Sequence, residues 1–413
     1  MKTNFNSSLL PVYFVLFVDN FAFAITFSIF GPLFVDSSYG FISKAMSMSS
    51  INIMIGVALA TFPLGQLIGA PLLGDIADRF GRKKAFYITI LGGTAGVILS
   101  GFSIMIHSYI ALILTRLVTG FFSGNLSICL ASIADLSPDE KTRARNFSVI
   151  IIITGISWML AILSGAYYSD PNLSGHFNLA LPFFITGIFF ILTFLAIAYF
   201  FKETHKTNDP FRINLLQGFK DVIDTFTIKK LRLLYLIYML WILGWGITLQ
   251  WYNPFVLEKF HSSTTAVNWS LFLVGITWMF GGYFVNNFLI KRWRGLPLIV
   301  IANALITVCL LGMSLMSSFI PFAIFFTISC IPAAFSWPNI MNLISINAPG
   351  SIQGKVMGIS QSFRSMSFIL ATLLGGLLAG INLTSLYYFA TLSFFLSFIL
   401  IFLKYFRIKK ATP

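Results

Sequence analysis

The chain has 413 residues, of which 57% are hydrophobic and only 10% charged, with 46 Phe. Soluble domains carry roughly 25% charged residues, so this composition excludes a water-covered globule. The formal charge of +14 does not argue for nucleic acid either, because that role needs a basic patch on a soluble face and no segment here builds one.

Apolar runs of about twenty residues, each long enough for a hydrocarbon core of about 30 Å, recur twelve times. They fall at roughly 9–35, 50–73, 85–106, 109–134, 147–167, 180–201, 231–256, 264–290, 297–316, 318–343, 356–380 and 384–406. The runs are continuously apolar instead of alternating, which predicts helices and not a barrel. The first run is longer than a signal h-region, contains Asp19 and lacks an A-x-A end, so a retained membrane helix is expected there.

A charge at the bilayer centre costs at least about 2.5–3.5 kcal/mol, so intramembrane ionisable residues are functional candidates. Only three stand well inside the runs: Asp19, Arg116 and Arg364. Asp19 is about ten residues into the first run, or about 15 Å along a helix, near the midplane. Burial raises a carboxylate's proton affinity and a nearby cation lowers it, so such a group can take and release a proton; a fixed structural carboxylate is the competing reading. Arg116 heads a stripe with Thr119, Ser123 and Ser127 along the fourth run, one face of a continuous helix. Gly120 and Gly124 beside it permit close helix approach. Asn125 in the fourth run and Trp158 in the fifth are candidate substrate contacts.

The longest polar segment, 202–230, divides the chain into halves, 1–201 and 231–413. Within it Ile213, Leu216, Phe219, Ile223 and Phe226 recur at helical spacing, which predicts a short amphipathic surface helix or a plain tether. In the seventh run Trp241, Trp245, Thr248 and Tyr252 share a face, with Trp245 the deeper candidate contact. The tenth run holds Pro332 and Pro338 around Trp337 and Asn339, as a bent cavity-lining helix would. In the eleventh, Arg364 has Gln361 and Ser365 nearby, and meets substrate, meets the Asp78 loop or snorkels to the cytoplasmic surface. A cavity-facing Arg364 would favour an anionic or zwitterionic substrate.

Lys and Arg are distributed unequally. Twenty-three of the 27 fall on one side of the twelve spans, and only Lys44 and Lys259 on the other. The positive-inside rule then places both termini in the cytoplasm. Cys129, Cys309 and Cys330 fall within spans and read as packing residues. Neither zinc spacing nor a nucleotide loop appears, so no metal or cofactor is expected and primary ATP-driven transport is disfavoured.

Between the second and third runs stands Gly74-Asp75-Ile76-Ala77-Asp78-Arg79-Phe80-Gly81-Arg82-Lys83-Lys84. It resembles the G-x-x-x-D-R-x-G-R-K/R loop signature of the major facilitator superfamily. Arg116 to Gly124 is similar to the family's fourth-helix motif R-x-x-x-G-x-x-x-G. Leu181-Pro182-Phe183-Phe184 and the exit Lys202-Glu203-Thr204 resemble the sixth helix of tetracycline-efflux-like members. After the eighth run, Gly281-Gly282 and Lys291-Arg292 echo the first-half loop, as two related bundles would. One departure stands out: residues 155–165 contain no proline, where the family's antiporters carry a Gly-Pro pair.

The resemblance implies an all-α membrane protein with twelve transmembrane helices in two pseudo-symmetric six-helix bundles. It implies proton-coupled export of a small organic molecule across a bacterial inner membrane by a working monomer. Asp19 would carry the proton and Arg116 would tune it. Gly74, Asp78, Arg79, Gly81, Arg82 and Asp135 would form a cytoplasmic gate, with Asp78 facing the start of the eleventh helix. Proton-coupled uptake of a metabolite or siderophore is the alternative. A non-transporting receptor would show eroded gate residues and no buried carboxylate. An enzyme is disfavoured because no paired-carboxylate or His-rich cluster lies in the runs.

Overall fold

In the computed structural model the described residues are 8–43, 45–137, 139–169, 174–204, 220, 223, 229–293, 295–347 and 353–411. They are helical, with no strand among them. In chain order the spans are α1 (Leu9–Val35), α2 (Met48–Phe80), α3 (Arg82–Met105), α4 (Tyr109–Asp135), α5 (Glu140–Tyr168) and α6 (Leu181–Phe200). The second set is α7 (Lys229–Gln250), α8 (Thr264–Leu289), α9 (Leu296–Ser314), α10 (Phe319–Asn347), α11 (Gln353–Ile381) and α12 (Ser385–Ala411). Eleven contain a stretch long and apolar enough to cross a membrane, and the apolar part of α5, Ile152–Tyr168, is slightly shorter. All backbone groups within such a span must be satisfied internally, which is why this composition yields helices. The amphipathic segment expected in 202–230 lies almost wholly outside the described residues.

Several spans are interrupted. α1 consists of Leu9–Ala24 and Thr26–Val35, and α4 of Tyr109–Phe122 and Leu126–Asp135. The sequence reading took the fourth run as one helix; the structure breaks it at Ser123–Asn125. After Gln250, α7 continues through Trp251 into Tyr252–Phe260. α8 passes through a π-helical turn, Phe280–Val285, at its glycine pair. α2 and α10 each contain two prolines yet remain single helices.

The chain forms two compact units, one of residues 1–29 and 61–219 and the other of 30–60 and 220–413. In the first unit α2 lies close against α4. An added Cβ at Gly124 would sit 2.6 Å from the Ala70 Cα, so only glycine permits the approach. α3 and α4 are joined by the Ser100–Thr115 hydroxyl pair at 3.1 Å.

The second unit has a neutral polar centre: Asn303 donates to the Ser397 hydroxyl at 3.1 Å and accepts from Ser336 at 2.7 Å. Ser397 donates onward to the Ile237 carbonyl at 3.2 Å. The ends of α1 and α2 within this unit pack closely on α7 and α11. A Cβ at Gly56 would lie 3.1 Å from the Gly376 Cα, and one at Gly380 would lie 2.9 Å from the Ser49 hydroxyl. Beside them Asn52 donates to Glu258 at 3.1 Å. Burial pushes the half-buried Glu258 carboxyl above its usual value, with the Asn52 bond opposing it.

Candidate functional site

The membrane-embedded candidates of the first unit meet where α1 crosses α4. Asp19 is 8% exposed and Arg116 2%. The break in α4 frees the Asn125 backbone N–H from the helix ladder, and it donates to Asp19 at 3.3 Å. The Asn125 side-chain amide reaches both carboxylate oxygens, at 3.1 and 2.9 Å. Asp19 therefore lies at the start of the helical piece Leu126–Asp135, where the helix dipole favours negative charge.

Arg116 forms no ion pair with Asp19 among the described residues. One guanidinium nitrogen donates to the Ala22 carbonyl, one turn along α1, at 3.1 Å. The guanidinium stacks over Phe62 of α2 at 4.7 Å, and Nε has no described partner. On the same helix Asn20 accepts from the Trp158 indole at 3.3 Å. Trp158 also meets Phe23 and Phe27 at 6.0 and 5.8 Å. Asp19, Arg116, Asn125 and Trp158 thus line one stretch of α1. The stripe along α4 does not continue as one face, because the break at 123–125 resets the register before Ser127.

The charged loop between α2 and α3 is held at several points. Arg79 pairs with Asp75 at 2.8 Å and Arg82 with Asp78. Arg82 Nε lies 3.7 Å from Asp135. Gly81 has φ +97°, a left-handed conformation favoured by glycine. Glu203, after α6, accepts from the Arg82 and Lys83 backbone N–H groups at 2.9 and 3.0 Å and so caps α3. Asp135 also accepts from the Thr204 hydroxyl at 3.1 Å. Gly74 lies across from Ser127, an added Cβ meeting its hydroxyl at 3.7 Å. Asp78 belongs to the first unit, and the start of α11 that it was expected to face, Gln353, belongs to the second.

In the second unit the candidates divide. Tyr238 of α7 is 1% exposed. Arg364 stacks over Phe368 at 5.7 Å, and the Gln361 amide nitrogen has no described partner. Trp245 lies apart in an aromatic slab, 5.9 Å from Trp241 and 5.4 Å from Trp278, its indole N–H also without a described partner. Asn339 is engaged within the fold, donating to Asn286 at 2.9 Å and to the Phe335 carbonyl at 2.6 Å.

Sequence reasoning gave no part to Glu203, Asn20 or the Asn52–Glu258 pair. Their partners are far away in sequence, Glu203 standing 121 residues from Arg82, and no local pattern encodes that distance. The polar exit of α6 was the one visible hint at Glu203.

A family model described as Major Facilitator Superfamily matches residues 12–364 and 234–413. The class H tetracycline resistance protein of Pasteurella multocida is 24% identical over 336 residues, 81% of this chain and 81% of that protein. The quinolone resistance protein NorA of Staphylococcus aureus is 24% identical, covering 81% and 83%. Among solved structures, a D-xylose–proton symporter superposes with TM-score 0.78 at 15% identity, covering 96% of both chains. The human organic anion transporter MFSD10 gives 0.72 at 19%, covering 96% and 99%. At these identities the structural likeness shows the fold.

Proposed function

The chain belongs to the Major Facilitator Superfamily, and on that premise we propose that it exports a small organic molecule from the cytoplasm in exchange for protons. It is a multi-pass membrane transporter of small molecules, not an enzyme. The export direction draws support from the tetracycline and quinolone resistance proteins among its relatives. The observation that carries the proton reading is Asp19: a carboxylate 8% exposed, held by Asn125, with Arg116 bound one turn away. Burial opposes ionisation and the Asn125 donors favour it, the balance a proton carrier needs.

In this reading the halves 1–201 and 231–413, joined by 202–230, rock about a site near the midplane of a bacterial inner membrane, with both termini cytoplasmic. Asp19 exchanges protons with each side in turn and Arg116 tunes it from the Ala22 carbonyl. Gly74, Asp78, Arg79, Gly81, Arg82 and Asp135 form the inner gate. Asn125 and Trp158, and in the second half Trp245, Gln361, Arg364, Trp337 and Asn339, are candidate substrate contacts. Arg364 as the second half's deepest cation suits an anionic or zwitterionic molecule.

The test uses everted vesicles containing a trapped pH dye, with tetracycline as the first probe. Antiport predicts drug accumulation together with alkalinisation of the interior. Protons entering with the drug would establish symport instead, the alternative that the missing proline of α5 leaves open. Drug movement with no proton movement in either direction would overturn both.

A further inference from the structure

Helix α4 is interrupted where its sequence does not force it. Residues 123–125 are Ser-Gly-Asn, without proline. An Asn at the start of a helix ordinarily turns its side chain back to cap the helix's own N–H groups. Asn125 makes no such bond. Its amide spans both oxygens of Asp19 at 3.1 and 2.9 Å, and its N–H adds a third contact at 3.3 Å. A carboxylate from α1 thus occupies the positive end of the piece Leu126–Asp135. The far end of that ten-residue piece is Asp135, which meets Arg82 at 3.7 Å and accepts from Thr204 at 3.1 Å. About 15 Å of unbroken helix separates the two ends.

We propose that Asn125 is the positioning residue of the proton step: it ties the charge on Asp19 to the break in α4, so that Leu126–Asp135 moves as a lever between Asp19 and the Arg82 loop. This rests on the reading of Asp19 as the proton carrier. Ionised, Asp19 accepts from three donor contacts of Asn125 and offsets the helix dipole. Protonated, it keeps one acceptor oxygen while its charge and the charge-assisted strength of these bonds are gone, so the hold on the break weakens. Among the described residues, the other titratable groups facing Asp19 are on α4. The Arg116 guanidinium is directed to the Ala22 carbonyl and Phe62, and the Cys129 thiol donates to the Val12 carbonyl at 3.8 Å. α6 presents Phe189 to Phe17 and Phe21, and α5 presents Trp158 to Asn20, neither of them charged.

The experiment is hydrogen–deuterium exchange on the full chain in lipid nanodiscs, without substrate, over an acid-to-alkaline series corrected for intrinsic exchange. Peptides covering 120–130 should exchange about tenfold faster on the acidic side, the scale of a lost helix-terminal charge. Asp19→Asn should exchange at the fast rate throughout, and Asp19→Glu should keep the pH step. Asn125→Ala should flatten or shift the step, and shift the pH profile of tetracycline transport in the same direction. Unchanged exchange in α9 peptides certifies that each variant is folded. A wild-type chain without the step, or a step that survives in Asp19→Asn or Asn125→Ala, overturns the lever. Loss of proton flux in Asp19→Asn with the exchange step unaltered would overturn the lever alone. An Asp19-dependent step with no proton movement during transport would overturn the export reading alone.

Discussion

α4 and α10 interrupt a membrane helix in opposite ways. α10 contains Pro332 and Pro338 and runs unbroken over 29 residues. α4 contains no proline and breaks at Ser123–Asn125. A proline removes one N–H, and neighbouring helices and local adjustments absorb the loss inside a bundle. The break in α4 stands where the Asn125 N–H and amide reach Asp19 on another helix. Interruption here coincides with a polar contact between helices, not with a proline. The polar centres of the two units differ in the same sense, one built on a carboxylate and the other on the neutral set Asn303, Ser336 and Ser397.

The sharpest way to break this contrast is to remove the charge. Asp19→Asn should lower proton-coupled flux by about 100-fold or more, as loss of a proton-transferring group does, while membrane insertion is retained. Unchanged dye response in everted vesicles would end the assignment. Next in size is Gly124→Leu, which forces side-chain atoms into Ala70. It should cost about 1–3 kcal/mol or more in detergent unfolding, whereas Pro338→Ala in α10 should stay within about 1 kcal/mol.

Asn303→Ala leaves Ser336 and Ser397 short of partners and should cost about 1–3 kcal/mol. The pH profile of transport should not move, in contrast to Asn125→Ala. The smallest effect belongs to Glu258. Its folded carboxyl binds a proton more tightly than the unfolded value of 4.5, so its contribution is full below that value. It is lost as pH rises through the higher folded value. Glu258→Gln, neutral at every pH, should remove this pH dependence, at most about 1 kcal/mol for a half-exposed pair. Melting curves of the two proteins at two pH values would measure the difference.

The fold was legible because it rests on apolar length, which composition carries directly. Asp19 and Arg116 stood out for a related reason, since charges are conspicuous against twenty apolar neighbours. The position of their partners was not legible. The pattern Arg116, Thr119, Ser123, Ser127 assumed a helix whose register persists, and the helix stops at Phe122 and restarts at Leu126. Asn125 reads as a candidate substrate contact, and its amide also bonds Asp19 on another helix, 106 residues away, which no local pattern encodes. Glu258 was passed over because a lone acid near a span end is ordinary until Asn52 is placed against it.

The Glu203 cap has a consequence for biogenesis. The turn at Gly81 is completed only by a carboxylate 121 residues downstream of Arg82. At roughly 5–20 residues per second, translation leaves that turn unfinished for about 6–24 s. During that interval the first N–H groups of α3 lack the acceptor that Glu203 later supplies, and the turn between α2 and α3 takes its final form only when α6 has emerged.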